Sequence, residues 1–241
     1  MDYGNLLSDS INYAIDAVWK KWARWVLLLV STIIFPLLYG YIMEIYRGTK
    51  PAPELQHWGK LFIDGLKLIV AWIIYMLPAI AVILIFGGWA LITAMQQSVM
   101  YGGPEAIFRN PEIFMPIIGG FLIGLVIAIV LAIVLSVIAI IGIIRMARKD
   151  RFGEAFNFGE IFATIQRINW GRYILALIVL AIVMVIFSII LALIMAIPYI
   201  GIIIYFFLLP LLAIFEGRYL THVYESGEPA VPTPVSFPGP E

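Results

Sequence analysis

Residues 173–215 read YILALIVLAIVMVIFSIILALIMAIPYIGIIIYFFLLPLLAIF, without one Asp, Glu, Lys or Arg. As one helix at ~1.5 Å per residue this stretch would run ~65 Å, about twice the ~30 Å hydrocarbon core of a bilayer. It therefore has to turn back. IPYIG at 197–201 is the natural place, because proline and glycine interrupt a helix most readily. That reading yields two spans and sets the fold class: an all-α, polytopic membrane bundle.

The rest of the 241-residue chain agrees, with 63% hydrophobic and 12% charged residues, where soluble domains average about half and a quarter. The formal net charge is zero, which gives no case for nucleic-acid binding. The absence of cysteine excludes disulfides, thiol catalysis and Cys-ligated metal centres. Two histidines, His57 and His222, are too few for a multi-histidine metal site, and no cofactor is expected. The first residues lack the basic region and small-residue cleavage site of a signal peptide, so they are expected to stay in the mature protein.

Three further apolar runs precede the quoted stretch. The first, 23–42, contains Pro36; the second, 66–86, contains Pro78; the third, 113–144, exceeds what one crossing needs. About five spans result. Before them, residues 1–22 are expected to form an interfacial amphipathic helix, with Leu7, Ile11, Ala14, Ile15, Val18, Trp19 and Trp22 at helical spacing. Residues 23–224 form the transmembrane domain. The Pro-rich segment 225–241 reads as a disordered tail.

Basic residues mark the cytoplasmic side. Loop 145–172 carries Arg145, Arg148, Lys149, Arg151, Arg167 and Arg172, and loop 47–67 carries Arg47, Lys50, Lys60 and Lys67. Loop 99–112 carries only Arg109. The first two are assigned inside, and the chain ends inside, in a multi-pass protein of the cell membrane. The N-terminus stays open. A full first span puts it outside despite Lys20, Lys21 and Arg24, whereas a run re-entering at Pro36 keeps it inside.

A short pattern occurs twice: ELQHWGKLF at 54–62 and EAFNFGEIF at 154–162. Each copy reads as an amphipathic helix on the cytoplasmic face leading into a span, as an internal pseudo-repeat produces. The polar face of the first holds Glu54, His57, Lys60, Asp64 and Lys67. Gly59 and Gly159 are expected to admit another backbone. Glu54, Trp58, Gly59, Glu154, Phe158 and Gly159 are the candidate partner-docking residues, against a plainer reading as surface anchors. Arg145, Arg148, Lys149 and Arg151 are candidates for lipid headgroups, against a plainer role as a topology signal.

No charge falls between Lys67 and Glu105 or within the later spans. Intramembrane charges usually mark ion or proton pathways, so their absence argues against a pump or proton-coupled carrier. Gly120, Gly124, Ala128, Ala132 and Ser136 recur at every fourth position, a row that lets helices pack closely, within the chain or in a homo-oligomer.

GY followed by R-G at 40–48, P-E-x-x-x-W-G at 53–59, DGLK at 64–67, RFGEAFNF at 151–158 and WGRY at 170–173 together carry a family resemblance. On them the chain resembles domain of unknown function 4013, an uncharacterised family of polytopic membrane proteins. The resemblance implies the architecture and no activity. The expected role is that of a non-enzymatic integral membrane protein, standing alone or as the membrane subunit of an assembly, in contact with lipids and with a cytoplasmic protein partner. A permease-like component docking a soluble partner is one alternative. A lipid-modifying enzyme using Glu54, Asp64, Glu154 or Glu160 is the other.

Overall fold

The computed structural model describes residues 2–228, and helices α1 to α9 with one short 3-10 turn account for nearly all of them. The expectation for 225–241 lies, beyond residue 228, outside the described residues. Four helices are long and apolar enough to cross a membrane: α4 (Trp58–Tyr101), α6 (Pro111–Lys149), α8 (Trp170–Met195) and α9 (Ile200–Glu225). The chain is thus a multi-pass membrane protein. The predicted reversal falls in place: α8 ends at Met195, Tyr199 takes a φ of 60°, and α9 starts at Ile200. A Cβ on Gly201 would lie 2.2 Å from the Ile194 carbonyl oxygen, so the two helices meet there with no room for a side chain.

The first apolar run is divided. Helix α2 (Trp22–Ile33) and helix α3 (Phe35–Tyr46) hold 12 residues each, with a bend at Ile34. At ~18 Å apiece, neither alone reaches across a ~30 Å core. Arg24, near the start of α2, reaches into the loop that follows α3, to the carbonyl oxygen of Ala52 at 3.4 Å and the carboxylate of Glu54 at 3.5 Å.

The described chain forms two compact units. One gathers the chain up to Ile33, Glu44–Leu55 and the part from Asn157 onward; the other holds Ile34–Met43 and Gln56–Phe156. The chain passes between them after Ile33, Met43, Leu55 and Phe156, the last two inside the copies of the repeated pattern.

In the first unit, α1 (Tyr3–Val18) packs along α9. Asp2 caps α1 by accepting from the amides of Gly4 and Asn5 at 3.0 and 3.2 Å. The helix has three sides. Leu6, Ser10, Ala14, Ala17 and Val18 are buried; Asp9, Asn12 and Asp16 are exposed; and Ile11, Ile15 and Trp19 are exposed together, continued by Trp22 of α2. The buried side is formed by small residues, which let α1 approach α9 closely. The apolar row read from the sequence is mostly the outward one.

In the second unit, α4 and α6 form a long hairpin closed by α5 (Pro104–Arg109). Gly102 and Gly103 end α4 with φ of 87° and 134°, conformations that favour glycine. Phe86 and Trp89 of α4 fill the notches at Gly124 and Gly120 of α6, where an added Cβ would lie 2.3 Å from each ring system's nearest atom. Helix α3 crosses α4 with backbones touching: a Cβ on Gly40 would sit 1.8 Å from the Leu61 carbonyl oxygen, and one on Gly65 1.7 Å from that of Pro36.

Candidate functional site

The two copies of the repeated pattern start helices at the same place. His57, at a φ of 56°, precedes α4, and Asn157 caps α7 (Phe158–Ile168) by accepting from the Glu160 amide at 3.4 Å. Residues 54–57 are not helical, and 152–156 form a 3-10 turn, so each helix begins at the aromatic residue, Trp58 or Phe158. From there they diverge. The first copy merges without a break into the 44 residues of α4, whereas α7 is an 11-residue helix ended at Asn169. A separate surface helix over 54–62 is therefore absent.

At matching positions Leu61 and Ile161 are buried, while Trp58, Phe62, Phe158 and Phe162 are exposed. Gly59 has nothing within 4 Å of an added Cβ, and Gly159 meets only the side chain of its own cap, Asn157. The close approach expected at these glycines is made by Gly40 and Gly65 instead. Asp64, placed on the polar face by its spacing, is 2% exposed and bound by the Lys67 ammonium at 3.0 Å. Its charge is tolerated because the partner lies one turn along the same helix.

Of the four candidate acids, Glu160 is exposed and the other three are held by bases, Asp64 by Lys67. Glu54 meets Arg24, and Glu154 accepts from Arg145 Nε at 2.7 Å with Arg151 at 3.9 Å. The Arg145–Glu154 clasp ties the 3-10 turn Phe152–Phe156 to α6, and Tyr75 of α4 adds a hydrogen bond to the Ala155 carbonyl oxygen. Of the four candidate headgroup residues, Arg145 is thus turned inward and Arg148 is half-buried, while Lys149 and Arg151 are exposed. In the small-residue row, Gly124 and Ala128 are buried and Gly120, Ala132 and Ser136 are half-buried; the Ser136 hydroxyl donates to the Ala132 carbonyl oxygen.

The densest polar cluster was not among the sequence candidates. Arg218 of α9 is completely buried and donates from Nε to Asp9 Oδ2 at 3.1 Å. Its guanidinium carbon lies 5.1 Å from the Tyr13 ring centroid, a cation–π contact, and Nη1 is 3.9 Å from Glu225. His222 Nε2 hydrogen-bonds Asp9 Oδ2 and lies 2.7 Å from Arg218 Nη2. A protonated Nε2 donates to the carboxylate; a bare one accepts from the guanidinium. Partial burial pushes the Asp9 carboxyl up, but the hydrogen bonds and charges of His222 and Arg218 outweigh it and hold it below its ordinary 3.8. Burial pushes the Tyr13 hydroxyl up to about 12, against the opposing pull of Arg218 and Arg24, and the hydroxyl donates to the Thr49 carbonyl oxygen at 2.9 Å. The signal was present in GRYLTHVYE, 217–225, where Arg218, His222 and Glu225 recur at four and three residues on one helical face.

This cluster joins α1, residue 49 and the C-terminal part of α9 at one end of the first unit, where Tyr3 also donates to the Arg172 carbonyl oxygen at 3.4 Å. Among the described residues no group of three or more His, Cys, Asp and Glu side chains is arranged to hold a metal ion. The arrangement binds α1, the backbone at Thr49 and the end of α9 together.

A family model described as a protein of unknown function, DUF4013, matches residues 25–196. No curated protein and no solved structure matches the chain.

Proposed function

Because the chain belongs to the DUF4013 family, whose function is unknown, its role has to come from its own geometry, and we propose that it is a non-enzymatic membrane subunit that docks a soluble protein at its cytoplasmic end. One observation carries this reading. At two helix starts an exposed aromatic side chain is followed by an uncovered glycine, Trp58–Gly59 and Phe158–Gly159, while the acids beside them, Glu54 and Glu154, are held in ion pairs. Aromatic anchors beside backbone that a partner can approach are what a docking surface needs.

The orientation follows from the basic loops. Tyr3 meets Arg172, and Arg24 near the start of α2 meets Ala52 in the loop that follows α3. The α2–α3 pair on this reading dips into the bilayer and returns. Four crossings then leave the N-terminal helix and the end of α9 on the cytoplasmic side. Lys149 and Arg151 remain for anionic headgroups.

Three of the four acids that the lipid-modifying alternative would use, Glu54, Asp64 and Glu154, are paired with bases, which speaks against it. The uncharged stretches 68–104, 113–144 and 173–215 speak against an ion-coupled carrier.

Gentle co-purification of the tagged protein from its native membranes, followed by mass spectrometry, tests the proposal. The expected result is a stoichiometric soluble partner that is lost from Trp58→Ala and Phe158→Ala variants. A protein recovered with lipid alone, or a partner that both variants retain, overturns it.

A further inference from the structure

Where α4, α5 and α6 meet, the hairpin holds an open cavity of about 550 Å³ with Met95, Ser98, Val99, Phe108, Phe114 and Ile117 in its wall. This volume falls in the range of ligand pockets, ~300–1,000 Å³. Ser98 is the one polar side chain lining it, and the backbone carbonyl of Ser98 is already taken by the amides of Gly102 and Gly103. Such a wall cannot supply the two to four hydrogen bonds that would hold an ordered water. Its natural occupant is hydrocarbon.

The cavity's position indicates whose hydrocarbon. Along α4, Ala94 lies ~40 Å from Lys67, the last charge before Glu105, so the cavity sits at the opposite interface of a bilayer ~40–45 Å thick with its headgroup regions. The helix surface between is apolar and exposed throughout, through Leu77, Leu84, Ile85, Leu91 and Ile92. The cavity thus continues the lipid-facing surface of the span. Helix α5, which supplies Phe108, also carries Glu105 and Arg109, both largely exposed and paired at 3.1 Å. Their opposite charges match the phosphate and amine of a zwitterionic headgroup.

We propose that this cavity binds one acyl chain of a bilayer phospholipid, with the headgroup beside Glu105 and Arg109. The site is independent of the docking surface at Trp58 and Phe158.

The test uses the full-length protein in phosphatidylcholine vesicles containing a trace of phosphatidylcholine with a mid-chain diazirine. After illumination, adducts are mapped by mass spectrometry. Adducts per exposed residue at 94–99, 107–108 and 114–118 are expected to exceed those at Val126, Ile127 and Val130, which face lipid outside the cavity, by about threefold or more, since a pocket encloses most of its ligand's surface. The Ala94→Trp variant, which puts an indole into the cavity, is expected to reduce that excess while leaving the labelling of Val126–Val130 unchanged. Equal labelling of both regions in the unaltered protein overturns the proposal, whatever the variant does. So does protection of the cavity stretch accompanied by cross-links between two copies of it, which would assign the cavity to self-association.

Discussion

Arg218 and Asp9, 209 residues apart in the chain, form an ion pair at 3.1 Å in which the guanidinium is fully buried and the carboxylate side chain half-exposed. The pair is therefore asymmetric. Removing the carboxylate leaves a buried cation with Glu225 only at 3.9 Å, while removing the cation leaves an anion that water can reach. Asp9→Ala is expected to cost ~2–3 kcal/mol, below the range for fully buried pairs because Asp9 is partly solvated. Arg218→Met is expected to cost less. Thermal unfolding of the detergent-solubilised protein, followed by loss of monodispersity, reads both. An Arg218→Met variant less stable than Asp9→Ala would show that packing, and not the trapped charge, dominates.

The same cluster sets a pH dependence at each extreme. The Asp9 pKa is depressed in the folded state, so its contribution is present above the ordinary 3.8 and lost as pH falls through the lower folded value. The stability gap between the unaltered protein and Asp9→Asn should close as pH falls through the acid range below the ordinary 3.8. The Tyr13 hydroxyl is raised from 10.0 to about 12, so its contribution is complete below 10 and lost as pH rises through about 12. Tyr13→Phe should therefore flatten the alkaline limb and leave the acid limb unchanged. An unchanged alkaline limb would assign that limb to other groups.

The spans were legible because length and the absence of charge suffice to locate them, and the turn at 196–199 followed from arithmetic on 43 uncharged residues. What escaped was pairing. Periodicity shows that Asp64 lies off the apolar stripe, but not that Lys67 neutralises it well enough to bury it. It shows Arg218 at the end of an apolar helix, but not that α1 folds back to supply Asp9. Gly59 and Gly159 stood out because the pattern repeats; Gly40 and Gly65 make the actual backbone contacts because α3 crosses α4, and no local spacing encodes a crossing.

That crossing gives a sharp contrast between glycines. Alanine at 40 or 65 would put a Cβ under 2 Å from a backbone carbonyl oxygen, which no rotamer change relieves. Each is expected to lose ~3 kcal/mol or more as the helices part. Gly59→Ala meets nothing within 4 Å, lies in the first turn of α4, and should be neutral or stabilising by up to ~1 kcal/mol. Unfolding temperatures of the three variants decide it; equal losses at 40, 65 and 59 would contradict the crossing.

The cysteine-free chain makes topology directly measurable. Single cysteines at Ser8 and Ser226, both exposed, report the end where Tyr3 meets Arg172, and one at the exposed Arg109 reports the tip of the α4–α6 hairpin. If α2 and α3 dip and return, the chain crosses four times and positions 8 and 226 lie on one side, with 109 on the other. A membrane-impermeant maleimide added to intact cells should then label 109 and spare 8 and 226 until the membrane is opened. The expectation rests on helix length: ~18 Å of α2 ending at a bend cannot carry Ile34 across, and Arg24 near its start holds Ala52 in the loop that follows α3. Labelling of 8 alongside 109, with 226 protected, would mean that the first run crosses the membrane, and that the contact between α1 and the end of α9 belongs to a state the bilayer does not permit.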